Sequence, residues 1–384
     1  MKATMTSRER LRAAIALEEP DHVPLWCMWT HERDPFNRKD ERARARATLA
    51  LGMDDTIRLN APWRVAPEVK VSAWSEPVPG QDYVLLHKRY ETPAGMAEQI
   101  LRSSEYLSEP KSIGVLGNLN MSHGIKFLVE SREDLEPLRY LLSDADADQL
   151  VRFREQARIY RVFAAEEQVL LESYYVCLGD TAAWLMGPEN LIYAFQDDPG
   201  LVEELLEIIW RWHLKRIEIL LEEKVEIILH EGWYELPDFW GVEPYRRFLK
   251  PLLQKEAAMV HQAGAIFSYI MTKGIMPLLD DFLEIGMDIL WGADPIQGQA
   301  DLPKLKEKLG GRMCIWGGMN AILTLGEGTP QDAEKAVEEA VRILAPGGGF
   351  VLFPVDQIVA GTPWENIEAM LGRWRELASY PLSI

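Results

Sequence analysis

His230 and Glu231 are the residues of this chain best placed to do chemistry. They end an apolar run in Val225–Trp233, VEIILHEGW, so an imidazole and a carboxyl group emerge together from a buried strand. Parallel α/β proteins build their sites at such strand ends. An imidazole beside a carboxylate can ligate a divalent metal or move a proton. The plainer alternative is that the two residues cap the strand and meet solvent. Glu235, four residues on, adds a second acid.

Other strand ends add to this pair. Asp356 lies just past the run FVLFP and, with His230 and Glu231, would complete a ligand set for a zinc-type ion. Trp233, Tyr234, Trp291 and Trp316 would stack against a flat or apolar ligand, with Tyr269 bonding a substituent. His31, Arg33 and Met271 would line the same mouth, and Glu172, Tyr174, Tyr175 and Asp180 follow the run VLLESYY. His213 and His261 fall within helices and read as structural, whereas His123 could belong to a lid.

The elements that position these groups follow from hydrophobic periodicity. A capping box, Thr6 to Glu9, opens a helix running to about Leu17. Leu25–Trp29 reads as a strand, 38–51 as a helix with Asn37 as N-cap, and Thr56–Leu59 as a strand. Residues 60–125 are rich in Trp, Pro and Gly and read as an inserted β-hairpin, small sheet or lid. Long amphipathic helices at 144–167, 199–223 and 243–263 then alternate with apolar runs at 169–175, 226–230, 265–270, 288–291, 314–318 and 350–354. Short buried strands alternating with helices mean parallel βα units. About eight strands make a single (βα)8 TIM barrel the economical fold, with a doubly wound open sheet as the alternative. The GGG at 347–349 precedes a strand and not a helix, so it is not a Walker loop; it reads as a tight turn, with a barrel phosphate site nearby as the lesser alternative.

Composition excludes several functions. A net charge of −19 disfavours nucleic acid and anionic membrane as partners. The run Arg42, Arg44, Arg46 reads as the solvated face of a helix. Three scattered cysteines, Cys27, Cys177 and Cys314, form no CxxC pair, so neither a disulfide framework nor a thiolate zinc knuckle is indicated. With no signal-peptide pattern and no apolar run of about 18 residues, a cytoplasmic location is expected.

The chain resembles the uroporphyrinogen decarboxylase superfamily. The likeness lies in TSRERLRAAIALEEPDHVPLW, YETPAG, HGIKFLVESREDLEPL, PYRRFLKPLL with HQAGA, DFLEIGMDIL, ADLPKLKEKLGGRMCIWGGMN and LAPGGGFVLFPVDQIVAGTPWENIEAM. It implies one (βα)8 barrel. Departures from the decarboxylase pattern weaken that activity. PLWCMWTHER puts Trp29 where the first family arginine would stand and leaves only Arg33, and Asp356 stands for the late histidine. Porphyrinogen carboxylates need such arginines. The superfamily's corrinoid methyltransferases hold zinc through a His-x-Cys pair and a later cysteine. Those positions correspond to Tyr269–Thr272 and Asp356, which offer no thiol.

The reading that results is a corrinoid-dependent methyltransferase, or demethylase. It would move a methyl group from a small O-methyl compound, a methoxylated aromatic first, or from an N-methyl compound, to a corrinoid protein. Zinc at His230, Glu231 and Asp356, or an acid such as Glu231 or Glu235, would activate the leaving atom. A homodimer is left open. The alternatives are a decarboxylase or lyase gripping a carboxylate with Arg33 and Lys273, and a ligand-binding barrel with no chemistry.

Overall fold

The computed structural model describes residues 3–36, 40–116, 123–173 and 177–382. The apolar runs form seven parallel strands: Thr56–Leu59, Leu170–Ser173, Ile227–Glu231, Ile266–Ile270, Ile289–Ala293, Cys314–Asn320 and Phe350–Val355. They lie in that order across one sheet, each beside its neighbour in sequence, with helices between. The segment around Leu25 joins the two edges. Leu25 bridges Leu352 in parallel, Trp26 N–H donates to Leu352 O at 3.1 Å, and Asp54 N–H donates to Leu25 O at 2.8 Å. The fold is therefore a (βα)8 barrel whose eighth strand is cut to a short bridge.

That strand departs from the expected Leu25–Trp29. The Asp54 carboxylate takes the Leu25 N–H at 3.3 Å, replacing a ladder partner. The chain then resumes as Met28–Thr30 and pairs with Gln357–Val359 instead.

Alternation along the strands sorts side chains into two cores. Ile227 and Leu229 join Trp26, Ile270, Trp291, Trp316 and Phe353 in the barrel interior. Ile228, Phe267, Tyr269, Leu290 and Ile315 pack outward beneath the helices. Leu11 and Ala14 of the first helix belong to the interior core.

That helix, Ser7–Ile15, has the expected Thr6/Glu9 box but stops short, since Leu17 has φ +65°. The second spans Glu41–Ala50 and is capped by Asp40, whose Oδ1 accepts from Arg42 N at 2.9 Å. Asn37 lies outside the described residues. Arg44 is not on a solvated face. It is buried, with Nη1 2.5 Å from Asp55 Oδ2, because a guanidinium enclosed this far needs a carboxylate. The helix expected at 243–263 is in part a π-helical turn, Tyr245–Leu249, before Lys250–Gln262.

After Thr56–Leu59 the chain leaves the barrel on its mouth side. It forms a four-stranded antiparallel meander of Lys70–Pro77, Val84–Thr92, Gly95–Arg102 and Gly124–Lys126. Among the described residues, no helix is long and apolar enough to cross a membrane.

Candidate functional site

His230 and Glu231 are neighbours in sequence but point to opposite sides of the barrel wall. Glu231 pairs with Ile270, which pairs with Trp291, which pairs with Trp316, an inward row. His230 pairs with Tyr269, which pairs with Leu290, in the outward row. One ion cannot take both from an extended strand, so His230, Glu231 and Asp356 do not form a common ligand set. Asp356 sits near Asp294 with φ +78°, and burial followed by the Asp294 charge raises its carboxyl pKa.

On the inner side, Glu231 is 2% exposed and its Oε1 has no hydrogen-bond partner among the described residues. Burial pushes its pKa up to about 7, against the pull of Arg58 and His230. Around it lie an ion pair, Arg58 Nε to Glu172 Oε2 at 3.1 Å, and a cluster of rings. Trp26 packs against Trp291 at 5.6 Å and Trp316 at 5.8 Å; Trp291 packs against Phe353 at 4.3 Å and Trp233 at 6.0 Å. Trp291 and Trp316 are fully buried interior packing and not a stacking platform. Trp233 and Tyr234, partly exposed, stand above them. This corner can hold a protonated carboxyl group in apolar surroundings.

On the outer side, the His230 ring links two carboxylates. Nδ1 lies 2.8 Å from Glu256 Oε2 and Nε2 lies 3.1 Å from Glu235 Oε1. Burial opposes the imidazolium, but Glu256 and Glu235 outweigh it and raise the His230 pKa to about 10. Glu256 is drawn down to about 2 by His230 and His213, overcoming its burial. Burial lowers the pKa of His213, against the pull of Glu256. Glu235 is held by four donors besides the turn itself: Leu178 N at 3.2 Å and Gly179 N at 2.6 Å to Oε1, Tyr269 Oη at 2.6 Å to Oε2, and His230. Asp180 accepts from Tyr234 N at 2.8 Å, and burial with the Glu235 charge raises its pKa well above the usual range.

Gly232 makes this seat possible. A Cβ there would fall 2.8 Å from Tyr269 Oη and 3.1 Å from Glu235 Oε2. Gly232→Ala is expected to cost about 1–3 kcal/mol by overpacking, read as a lowered denaturation midpoint. An unchanged midpoint would mean that the Tyr269–Glu235 pair is loose.

The remaining expected residues divide. Met271 is fully buried in the outer core. His31 is a clip: Nδ1 accepts from Arg33 N at 3.0 Å, and Nε2 lies 3.1 Å from Thr362 O. Arg33 is exposed and lies over Trp364 at 4.1 Å, and Lys273 is exposed. Tyr174 and Tyr175 fall outside the described residues. Reading the sequence missed Arg58 and Glu256, and it took His213 for simple structure. The signal was there: Glu256 shares a helix face with the buried Leu253, Ala257 and Val260.

Thiolate zinc does not fit. Cys27, Cys177 and Cys314 are all buried, and burial raises each thiol, that of Cys314 to about 12. A thiol kept protonated is no ligand. Among the described residues the compact group of potential metal ligands is His213, His230 and Glu256.

No curated protein matches the chain. Among solved structures, a methyltransferase from Methanosarcina mazei superposes with a TM-score of 0.62 at 19% identity, over 97% of this chain and 99% of that one. At that identity the likeness is one of fold. D-psicose 3-epimerase (8% identity, 58% of this chain and 81% of that one) and an E. coli 3-keto-D-glucoside 4-epimerase (14%, 68% and 98%) have TM-scores of 0.36 and 0.35, too low to bear on this chain. The uroporphyrinogen decarboxylase (URO-D) family matches residues 116–377, well over half of the length, and the chain belongs to that family.

Proposed function

We propose that the chain is a methyltransferase that takes a methyl group from a small O-methyl compound, a methoxylated aromatic first, or an N-methyl compound. The acceptor is a corrinoid carried by a partner protein. The reading is carried by Glu231: a buried carboxyl with one free oxygen, at the mouth end of an indole-lined interior. Family membership and the fold shared with a methyltransferase support it.

The corrinoid supplies the nucleophile that accepts the methyl group. Rings at centroid separations of 4.3–5.8 Å fill the interior, so a macrocycle has access only at the rim. That geometry suits a group borne on another protein. The donor would sit above Trp291, against Trp233. Protonated Glu231 gives its proton to the leaving oxygen or nitrogen as the bond to the methyl carbon breaks. Glu231 is left as a carboxylate and regains a proton from solvent when product leaves. The Arg58–Glu172 pair holds charge beside it. A reduced corrinoid needs a reducing compartment, which suits a chain with three free cysteines and a cytoplasmic setting.

The test incubates the full chain with a reduced corrinoid protein and a panel of methoxylated aromatics and methylamines. Methylcorrinoid is followed by absorbance and the demethylated product by mass spectrometry. Donor binding without product would favour a ligand-binding barrel; loss of carbon dioxide from a carboxylate would favour a lyase. If the meander of 70–126 covers the mouth, limited proteolysis cuts within it first and donor slows the cutting at least severalfold. Cutting unaffected by donor removes the lid.

A further inference from the structure

We propose that His213, His230 and Glu256 form a divalent-metal site of zinc type on the outer face of the barrel wall, separate from the interior carboxyl. This does not depend on the methyl-transfer reading.

Three elements deliver the ligands: helix Pro199–Glu222, strand Ile227–Glu231 and helix Lys250–Gln262. All three residues are fully buried, and their ligand atoms lie within 4.8 Å of one another. Glu256 offers one oxygen to each imidazole, Oε2 to His230 Nδ1 at 2.8 Å and Oε1 to His213 Nε2 at 3.5 Å. Two imidazole nitrogens and the Glu256 carboxylate make a three-residue ligand set. Zinc bonds of about 2.0–2.2 Å place ligand atoms of different residues about 3.4 Å apart, within the range this group spans, from 2.8 Å between Glu256 and His230 up to 4.8 Å at most.

Two observations separate this from an ordinary buried ion pair. Neither nitrogen of His213 has a hydrogen-bond partner among the described residues, and Glu256 Oε1 lacks one too. Buried polar atoms are seldom left so, and an ion would satisfy Nε2 and Oε1 together. Second, the far nitrogen of His230 is already oriented. With Nε2–H kept on Glu235 Oε1 at 3.1 Å, an ion would displace only the Nδ1 proton, on the side that faces Glu256. That is the carboxylate–histidine–metal arrangement that fixes a ligating tautomer. Glu235 is in turn held by Gly179 N and Tyr269 Oη. Trp210, Phe267 and Tyr269 wall the group at ring separations of 5.3–6.4 Å, keeping water out. Glu256 and Glu235 balance a doubly charged ion, and Arg216, stacked on Trp212 at 4.5 Å, lies one turn along the His213 helix. The ion would staple two helices to the strand whose next residue is Glu231.

The full chain is stripped with a chelator, then titrated with Zn2+ and separately with Co2+. Bound metal is counted by mass spectrometry after gel filtration, and thermal unfolding and the visible Co2+ spectrum are recorded. One ion per chain, a raised melting temperature and tetrahedral Co2+ bands are expected. Glu256→Gln and His213→Asn should lose the ion, Glu235→Gln should weaken binding roughly 10–100-fold, and Asp356→Asn should keep it. The wild-type titration needs no variant. No retained ion, no shift in melting and no Co2+ bands would overturn the proposal. So would an ion that survives Glu256→Gln, or one lost in Asp356→Asn.

Discussion

Glu231→Gln is expected to slow the proposed methyl transfer by roughly 10²–10⁴-fold, the span typical of losing a general acid, while making the protein more stable in alkali. Both effects come from the same burial. Enclosure lifts the Glu231 pKa from about 4.5 in an open chain to about 7. The protonated form is therefore the one the fold favours. Its contribution is fully present below about pH 4.5 and is lost as pH rises through about 7, where ionisation costs the folded state up to about 3 kcal/mol. Glutamine keeps the shape and never ionises. Denaturant unfolding of both proteins at about pH 5 and about pH 8.5 should show the variant gaining only at the higher value. The wild-type rate should fall as pH rises through about 7. Equal stabilities at both pH values would show that solvent reaches this carboxyl freely, and the acid role would fall with it.

His230→Ala is expected to cost roughly 3–5 kcal/mol, because it strips the shared partner from two buried carboxylates, Glu235 and Glu256. For a chain of 384 residues, an unfolding entropy of about 2.1 cal/mol/K per residue turns this into a fall of about 4–6 °C in melting temperature. The double variant His230→Ala/Glu256→Ala should recover part of the loss, since it removes one orphaned charge. A single variant that melts like wild type would mean that both carboxylates find water, and that the outer network is not sealed. The expectation reverses the simpler one for a solvent-facing metal ligand, whose loss would leave the melting temperature almost unchanged.

The barrel was legible because seven of its strands are short apolar runs set between amphipathic helices, and that pattern survives without any contact information. The eighth was over-read. Leu25–Trp29 is apolar enough for a strand, but one carboxylate, Asp54, takes over a ladder position, and a side chain distant in sequence leaves no mark on periodicity. The site was half legible for a similar reason. VEIILHEGW correctly marks a strand end, and alternation alone assigns His230 and Glu231 to opposite sides of it. Treating the two as one ligand set ignored that alternation. Trp291 and Trp316 also look like binding residues at a strand end, and only the pairing of neighbouring strands reveals them as interior packing. Glu256, His213 and Arg44 carried the opposite clue: ionisable residues on the buried faces of helices, each needing a partner from another element.

Closure of the wall by Leu25 and its neighbours has a consequence for biosynthesis. The segment that seals the ring precedes the seven strands in sequence, yet the edge it seals, at Leu352, belongs to the last of them. His22 opposite Ser379, and the Trp374 indole donating to Val23 O at 2.8 Å, tie the same two segments together. Until Phe350–Val355 has been translated, the margin that Leu25 seals has no partner strand, and open margins recruit other strands. A growing chain stalled before Phe350 should therefore aggregate or occupy a chaperone, however well its central βα units have formed.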